Sequence, residues 1–292
     1  MQFIALDLEW NNVYGKKIKG FFNEIIEFGA VKVDEEGNIY DEFTCLINTQ
    51  VGKKLRANTK EITHITNDEI KTGIPFTKAV SEFKKWIGKD ESVIMTWGDG
   101  DVRVLIDNCK YFGCGDRIPF LDRYMDLQKY FQRIKCTSKS QQIGLSNAAE
   151  MVGISDDGYS LHRALDDSKI TAKCFSVIRE DKIIKDYIKE CNDEFYSRII
   201  FKNKVISSMK NPLVDKSYLN CTCEECGKPA TALTKWKYSN QYFRAQYYCE
   251  SCDKKYQVNV RFRKMYDRTE IRKIVKPIVE EETSADSTEL KV

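Results

Sequence analysis

The sequence predicts an α/β domain on a mixed sheet, followed by a small β-rich module clipped by metal. Three observations carry this. Three strand-like runs come first, and strand–helix alternation then continues to about residue 180. Two C-x2-C pairs stand near the C-terminus, inside a segment rich in Lys and Arg.

The elements follow in order. Phe3 to Trp10 is an apolar run read as a strand, and Asn11 to Gly20 a polar, basic loop. Ile25–Val33 and Ile39–Ile47 read as strands around the turn residues Asp34 to Asn38, so the first three strands suggest an antiparallel meander. Thr66 to Glu69 fits a capping box at a helix start, which leaves His64 in the preceding loop. Val80, Phe83 and Ile87 mark a second helix. Val93–Trp97 is a short continuous apolar run, as in a buried parallel strand, and Val102, Leu105, Ile106 and Cys109 place a helix after it. Phe120 to Leu127 is a weaker strand. Leu145, Ala148, Ala149 and Val152 form a helical stripe stopped by Gly153. Residues 161–168 lead into a helix through Phe175 and Ile178. Ile184, Ile188, Cys191 and Phe195 mark a further amphipathic helix, expected to bridge out of the first domain.

At 292 residues the chain suits roughly two domains. It holds no run of ~18 apolar residues, so no membrane contact is expected. It enters a strand without a basic, leader-like segment, and a cytoplasmic location is expected. Of the 11 Cys, four are paired in motifs and the rest scattered, the usage of a reducing compartment with one metal site. Net charge is +3 but uneven: residues 216–275 carry 13 Lys/Arg against 6 Asp/Glu, and residues 276–292 carry 2 against 5. A basic module beside a nearly neutral one points to a polyanionic partner.

The first strand carries Asp7 and Glu9, two apart and therefore on one face. Side by side in a buried strand they would need a neutraliser, and a divalent cation with oxygen ligands serves. The ordinary alternative is a strand end whose acids reach solvent. Asp101 lies just past the C-terminal end of the parallel strand, where open α/β sheets place their sites. Asp167 stands near a helix start, and His162, one of two His, precedes it by five residues. Two-metal phosphoryl chemistry needs such a set: carboxylates to hold cations roughly 4 Å apart, and a group able to take a proton from water.

With these motifs in order, the first ~180 residues resemble the DEDDh (DnaQ-like) 3′–5′ exonuclease superfamily. Asp7-Leu8-Glu9 matches the first motif, and residues 23–31 resemble the strand that follows it. Asp101 to Leu105 matches D-x-x-x-L, and His162 to Asp167 matches H-x-x-x-x-D. Residues 62–66 resemble the family's TGIT turn, with His64 where glycine is usual. The resemblance implies an RNase H-like mixed five-stranded sheet with flanking helices. It also implies Asp7, Glu9, Asp101 and Asp167 as ligands of two Mg²⁺ or Mn²⁺, with His162 as general base. Helix geometry would pair His162 with Asp166, whereas the family spacing selects Asp167. Asp99 lacks the downstream spacing of Asp101, and Asp122 and Asp126 read as solvated or capping. Trp10 and Asn11 stand where proofreading-type members carry small Thr or Ser residues near the 3′ terminus, so both are candidate substrate contacts, with packing in the core as the alternative for Trp10.

Cys223, Cys226, Cys249 and Cys252 form C-x2-C…x22…C-x2-C, the spacing of a Cys₄ site for one structural Zn²⁺. Thr231–Tyr238 and Gln241–Tyr248 flank Ser239-Asn240 as a hairpin, and Tyr256 to Phe262 would add a third strand, which together resemble a zinc ribbon. Lys235 and Lys237 would share one strand face, and Arg261 and Arg263 another, interleaved with aromatics. Those four are candidate contacts to single-stranded nucleic acid; the alternatives are aromatics that fill a small core beneath merely solvating charges, and a docked protein. The expected layout is an exonuclease domain at 1–180, a helical bridge at 181–215, a zinc ribbon at 216–275 and an acidic disordered tail at 276–292. The expected activity is hydrolysis of RNA or DNA 3′ ends to nucleoside monophosphates. The competing reading is a nucleic-acid- or protein-binding adaptor whose exonuclease-like domain is only a scaffold.

Overall fold

A computed structural model describes residues 1–15, 20–137, 142–155 and 158–278. It divides into two compact units, Met1–Ile200 and Phe201–Val292. The stretch expected as a bridge, 181–215, splits between them.

In the first unit β1 (Gln2–Gly15), β2 (Gly20–Val33) and β3 (Ile39–Leu46) form the antiparallel meander. Helices α1 (Ala57–Thr63), α2 (Asn67–Thr72) and α3 (Phe76–Ile87) follow. Then β4 (Ser92–Thr96) pairs parallel with β1, and α4 (Gly100–Tyr111) leads to β5 (Arg123–Asp126), parallel with β4. After α5 (Leu127–Ile134), α6 (Leu145–Met151), α7 (Ala164–Ile178) and α8 (Asp181–Ile184), β6 (Ile188–Glu190) closes the edge antiparallel to β5. The order is β3-β2-β1-β4-β5-β6, so the RNase H-like mixed sheet has six strands rather than five.

The helix expected through Ile184, Ile188, Cys191 and Phe195 is broken by β6 and resumes as α9 (Asp193–Ile200). The open edge of β5 wins over helical periodicity here. Residues 188–190 take its unpaired backbone groups, Cys191 N–H donates to Asp122 O (2.8 Å), and Arg123 Nε donates to Glu190 (2.8 Å). The Thr66–Glu69 capping box of α2 has both halves, and His64 caps α1 in the left-handed region at φ 58°.

The alternation of β1 sorts two cores. Ile4, Leu6 and Leu8 pack with Phe76 and Phe83 of α3 and Leu105 of α4. Phe3 and Ala5 pack on the other face with Val31, Val93 and Phe175 of α7. Asp7 and Glu9 continue that second face, so α7 lies against the same side of the sheet as the two acids. Gly29 of β2, directly opposite Asp7, permits the approach: a Cβ there would stand 2.0 Å from the Ala164 carbonyl carbon. Ser168 Oγ donates to Gly29 O (2.6 Å) and fastens the contact.

The second unit contains β7 (Lys204–Val205), β8 (Thr231–Ala232), β9 (Lys237–Ser239), β10 (Tyr242–Cys249), β11 (Lys254–Lys264) and β12 (Thr269–Pro277). The order is β12-β11-β10-β8, with β7 added to β11 and β9 to β10. Phe243, Ala245, Tyr247, Tyr256, Val258, Val260 and Phe262 alternate into a core that Ile206, Val214, Cys221 and Cys223 cover. The expected Ser239-Asn240 hairpin is present between β9 and β10, turning at Asn240 and Gln241 with φ 48° and 66°. The first of its strands is interrupted over residues 233–236. The sequence reading missed β12, which carries residues 276 and 277 of the expected tail. Residues 279–292 of that tail lie outside the described residues.

Because no rotamer relieves a backbone clash, Gly29→Ala is expected to lower stability by about 1–3 kcal/mol. Urea unfolding of the two proteins measures this, and equal midpoints would mean that α7 does not press on β2 as described.

Candidate active site

The site forms where β1 outruns its parallel partner. The pairing of β1 with β4 stops at Ala5–Met95, which frees the β1 backbone just before the acids. Leu8 N–H then donates to Asp101 Oδ1 (3.1 Å), so a carboxylate in the first turn of α4 is tied between Asp7 and Glu9. A register shift between Glu9 and Trp10 interrupts the pairing with β2, which resumes from Trp10–Ile25 to Gly15–Gly20.

Asp167 comes from the first turn of α7. His162, just before that helix, adopts the left-handed conformation at φ 62°, uncommon for a residue with a Cβ. Its backbone N–H donates to Asp167 Oδ2 (3.1 Å). Ligand atoms of Glu9, His162 and Asp167 lie within 4.8 Å of one another. Asp7, Glu9, Asp101, His162 and Asp167 all line one cleft of about 440 Å³, walled by Trp10, Asn12, Asn58, Ile62, Trp97 and Leu145.

The sequence reading missed Glu27. It is buried in β2 opposite Glu9, and it holds the turn that presents His162 and α7. Arg163 donates to it from Nη2 (2.7 Å) and from Nε (3.2 Å), and Ala164 N–H adds a third donor (3.1 Å). The signal available was Glu27 facing Glu9 across an expected antiparallel pair, but the register was not fixed by sequence.

Charge crowding dominates the electrostatics. Burial, then Asp101, Asp167, Glu9 and Glu27, push the Asp7 carboxyl well above its ordinary range. Glu9 is raised to about 9 by burial first, then by Asp167, Glu27 and Asp101. Burial raises Asp101 to about 7 and Asp167 to about 6, the latter opposed by the His162 N–H. Such groups ionise together only when positive charge joins them, and hard carboxylate oxygens suit Mg²⁺ or Mn²⁺.

The remaining acids are engaged elsewhere. Asp99 pairs with Arg103 (2.9 Å), Asp126 caps α5 through Lys129 N–H (3.0 Å), and Asp166 accepts from Ser160 N–H (2.9 Å). Asn11, expected to touch substrate, does not reach the cleft. It is fully buried, and its amide ties β1 to α1 through Lys54 O, Arg56 N–H and Thr59 Oγ. Its neighbour Asn12 lines the cleft instead. Trp10 does both jobs, packing on the core and walling the cleft.

In the second unit the sulfurs of Cys223, Cys226, Cys249 and Cys252 all lie within 4.8 Å of one another, a spacing that fits a tetrahedral thiolate site. Tyr256 Oη stands 3.1 Å from Cys223 Sγ and, with backbone N–H groups, draws that thiol down to about 6. Arg261 and Arg263 share a strand face as expected. Lys237 lies on β9, but Lys235 falls in the interruption before it, so the two do not share a strand.

The exonuclease (RNase T) family model matches residues 4–175, more than half of the chain. "Probable 3'-5' exonuclease KapD" of Bacillus subtilis (strain 168) is 30% identical over 187 residues, covering 61% of this chain and 85% of that protein. Human "ERI1 exoribonuclease 2" is 29% identical over 209 residues, but this chain spans only 29% of its length. In fold, the crystal structure of the nuclease domain of 3'hExo, a DEDDh family member bound to rAMP, aligns with a TM-score of 0.54 and 23% identity over 63% of this chain and 92% of that domain. The chain belongs to the exonuclease (RNase T) family, with a probable 3′–5′ exonuclease among its relatives.

Proposed function

We propose that the first unit hydrolyses single-stranded RNA or DNA from the 3′ end, releasing nucleoside monophosphates by a two-metal mechanism. The observation that carries this reading is the convergence of Asp7, Glu9, Asp101 and Asp167 on one cleft, with no ion pair to any of them among the described residues. These four carboxylates would hold the two Mg²⁺ or Mn²⁺, which when bound neutralise the acids, activate water and stabilise the leaving oxygen. Leu8 N–H orients Asp101, and the His162 N–H orients Asp167. The His162 ring, exposed beside Glu9, takes the proton of the attacking water. Trp10 offers a ring to the terminal base along the cleft wall. The rAMP in the 3'hExo nuclease domain is of the product class proposed here. The four cysteines would hold one structural Zn²⁺.

The direct assay is trimming of a 5′-labelled oligonucleotide with Mg²⁺ or Mn²⁺, read at single-nucleotide resolution. Asp7→Asn is expected to abolish trimming. His162→Asn, which tolerates the left-handed backbone, is expected to lower kcat by roughly 10²–10⁴-fold with little change in Tm. Trimming that survives Asp7→Asn would sink the two-metal reading, and binding without cleavage by the unmutated protein would favour the adaptor.

Protonation makes a separate prediction. Without divalent cations the folded site keeps protons that the unfolded carboxylates, with ordinary values near 4, have lost. Folding therefore takes up protons, and stability falls as pH rises through about 6 for Asp167, about 7 for Asp101 and about 9 for Glu9. Tm measured from pH 5 to 9 in metal-free buffer should decline, and saturating Mn²⁺ should remove most of the decline. A flat metal-free profile would contradict the crowding.

For the second unit, metal analysis is expected to find one Zn²⁺ per chain and none in Cys226→Ser/Cys249→Ser. Trp236 packs against Tyr247 (6.1 Å) and is the one tryptophan of residues 201–292. Its fluorescence should change as a chelator removes the zinc, and a zinc-free protein with unchanged fluorescence would count against a structural role.

A further inference from the structure

We propose that the uncovered face of the second unit's sheet binds single-stranded nucleic acid, through phosphates at Lys237, Arg244, Arg261 and Arg272 and a base at Tyr242. This deepens the exonuclease reading, on which it rests for the class of ligand, by giving the strand a foothold outside the cleft residues.

The sheet has two unlike faces. One is filled by the alternating apolar side chains of β10 and β11 and covered by residues 206–223. The other carries the intervening residues, and no hydrophobic cluster covers it among the described residues. Register aligns the cations across this bare face. Lys237 stands directly opposite Arg244, and Arg261 directly opposite Arg272.

Like charges placed opposite one another destabilise a sheet, and no acidic side chain among the described residues offsets them. None of the four has an acidic partner among the described residues, whereas nearby Arg263 has Glu270 (3.9 Å) and Lys254 has Glu225. The Nε groups of Arg244 and Arg261 are also shielded from solvent yet hydrogen-bonded to nothing. Unsatisfied buried donors of this kind are rare. Two like-charged pairs and two orphan donors on one face are what an anionic oxygen ligand would relieve.

The ring of Tyr242 narrows the ligand to nucleic acid over an acidic protein. It stands 5.2 Å from the Arg261 guanidinium, so a planar cation and an aromatic ring are already joined on the face. Phosphate pairing beside a stacking ring is the chemistry of single-strand recognition.

The test measures binding with catalysis off, so that it stands apart from the cleavage assay. In an Asp7→Asn background, fluorescence anisotropy would follow a labelled 20-nucleotide single strand, RNA and DNA in turn, across a salt series. Arg261→Gln/Arg272→Gln is expected to weaken binding at least 10-fold at about 0.1 M salt. Loss of two phosphate contacts should make the slope of log K against log salt shallower by about 1.4. Arg261→Lys/Arg272→Lys should keep the slope, which separates lost charge from lost fold, and Arg244→Gln reads the second row should the double variant fail to fold. Affinity and slope like those of the Asp7→Asn protein in the Gln variants would overturn the proposal. So would polyglutamate competing as well as the oligonucleotide at equal charge, which would assign the face to acidic protein.

Discussion

Five acids share one small region of the first unit, and among the described residues only one of them has a cation of its own. Glu27 is buried and answered by Arg163 and by a backbone N–H. Asp7, Glu9, Asp101 and Asp167 have no ion pair among the described residues, although Asp101 and Asp167 each accept one backbone N–H, and each of the four is pushed towards its protonated form. This division of labour explains much of the surrounding architecture. The paired acid is structural: it anchors the turn into α7 and so fixes the position of His162. The unpaired acids are the ones proposed to hold the cations. A second Arg placed among them would relieve the crowding and take the place proposed for the cations.

That arrangement depends on backbone proximity as much as on charge. A glycine opposite Asp7 brings α7 against the sheet, and a left-handed His162 turns the chain so that one residue supplies both an N–H to Asp167 and a ring to the cleft. Strain at such a position is characteristic of functional sites, since the surroundings must hold it in place.

Much of this was legible in sequence, and the limits have physical reasons. Asp7 and Glu9, the D-x-x-x-L of Asp101 and the spacing of His162 to Asp167 are local patterns tied to strand alternation and helix starts, so they survive translation into structure. Glu27 was not legible, because its role rests on cross-strand register and on an arginine 136 residues away. Asn11 was misjudged because the partners that bury its amide, Lys54, Arg56 and Thr59, lie 43 to 48 residues away and leave no local pattern. β6 was hidden by apolar residues at helical spacing. β12 escaped because its inward apolar residues, Ile271 and Val275, are four apart and interrupted by charge. In the second unit the cysteine spacing announced the cluster, while the opposition of Arg261 and Arg272 needed the unrecognised strand.

The fastening of Ser168 to Gly29 joins residues 139 positions apart, and the Leu8–Asp101 bond spans 93. Such separations have a meaning during synthesis. At about 5–20 residues per second, Gly29 waits roughly 7–28 s before Ser168 has even been made. For most of that interval the nascent chain has Asp7 and Glu9 but neither His162 nor Asp167. A ribosome-bound fragment therefore holds an incomplete set of the cleft's side chains, and the order of the motifs along the chain delays assembly until α7 can dock.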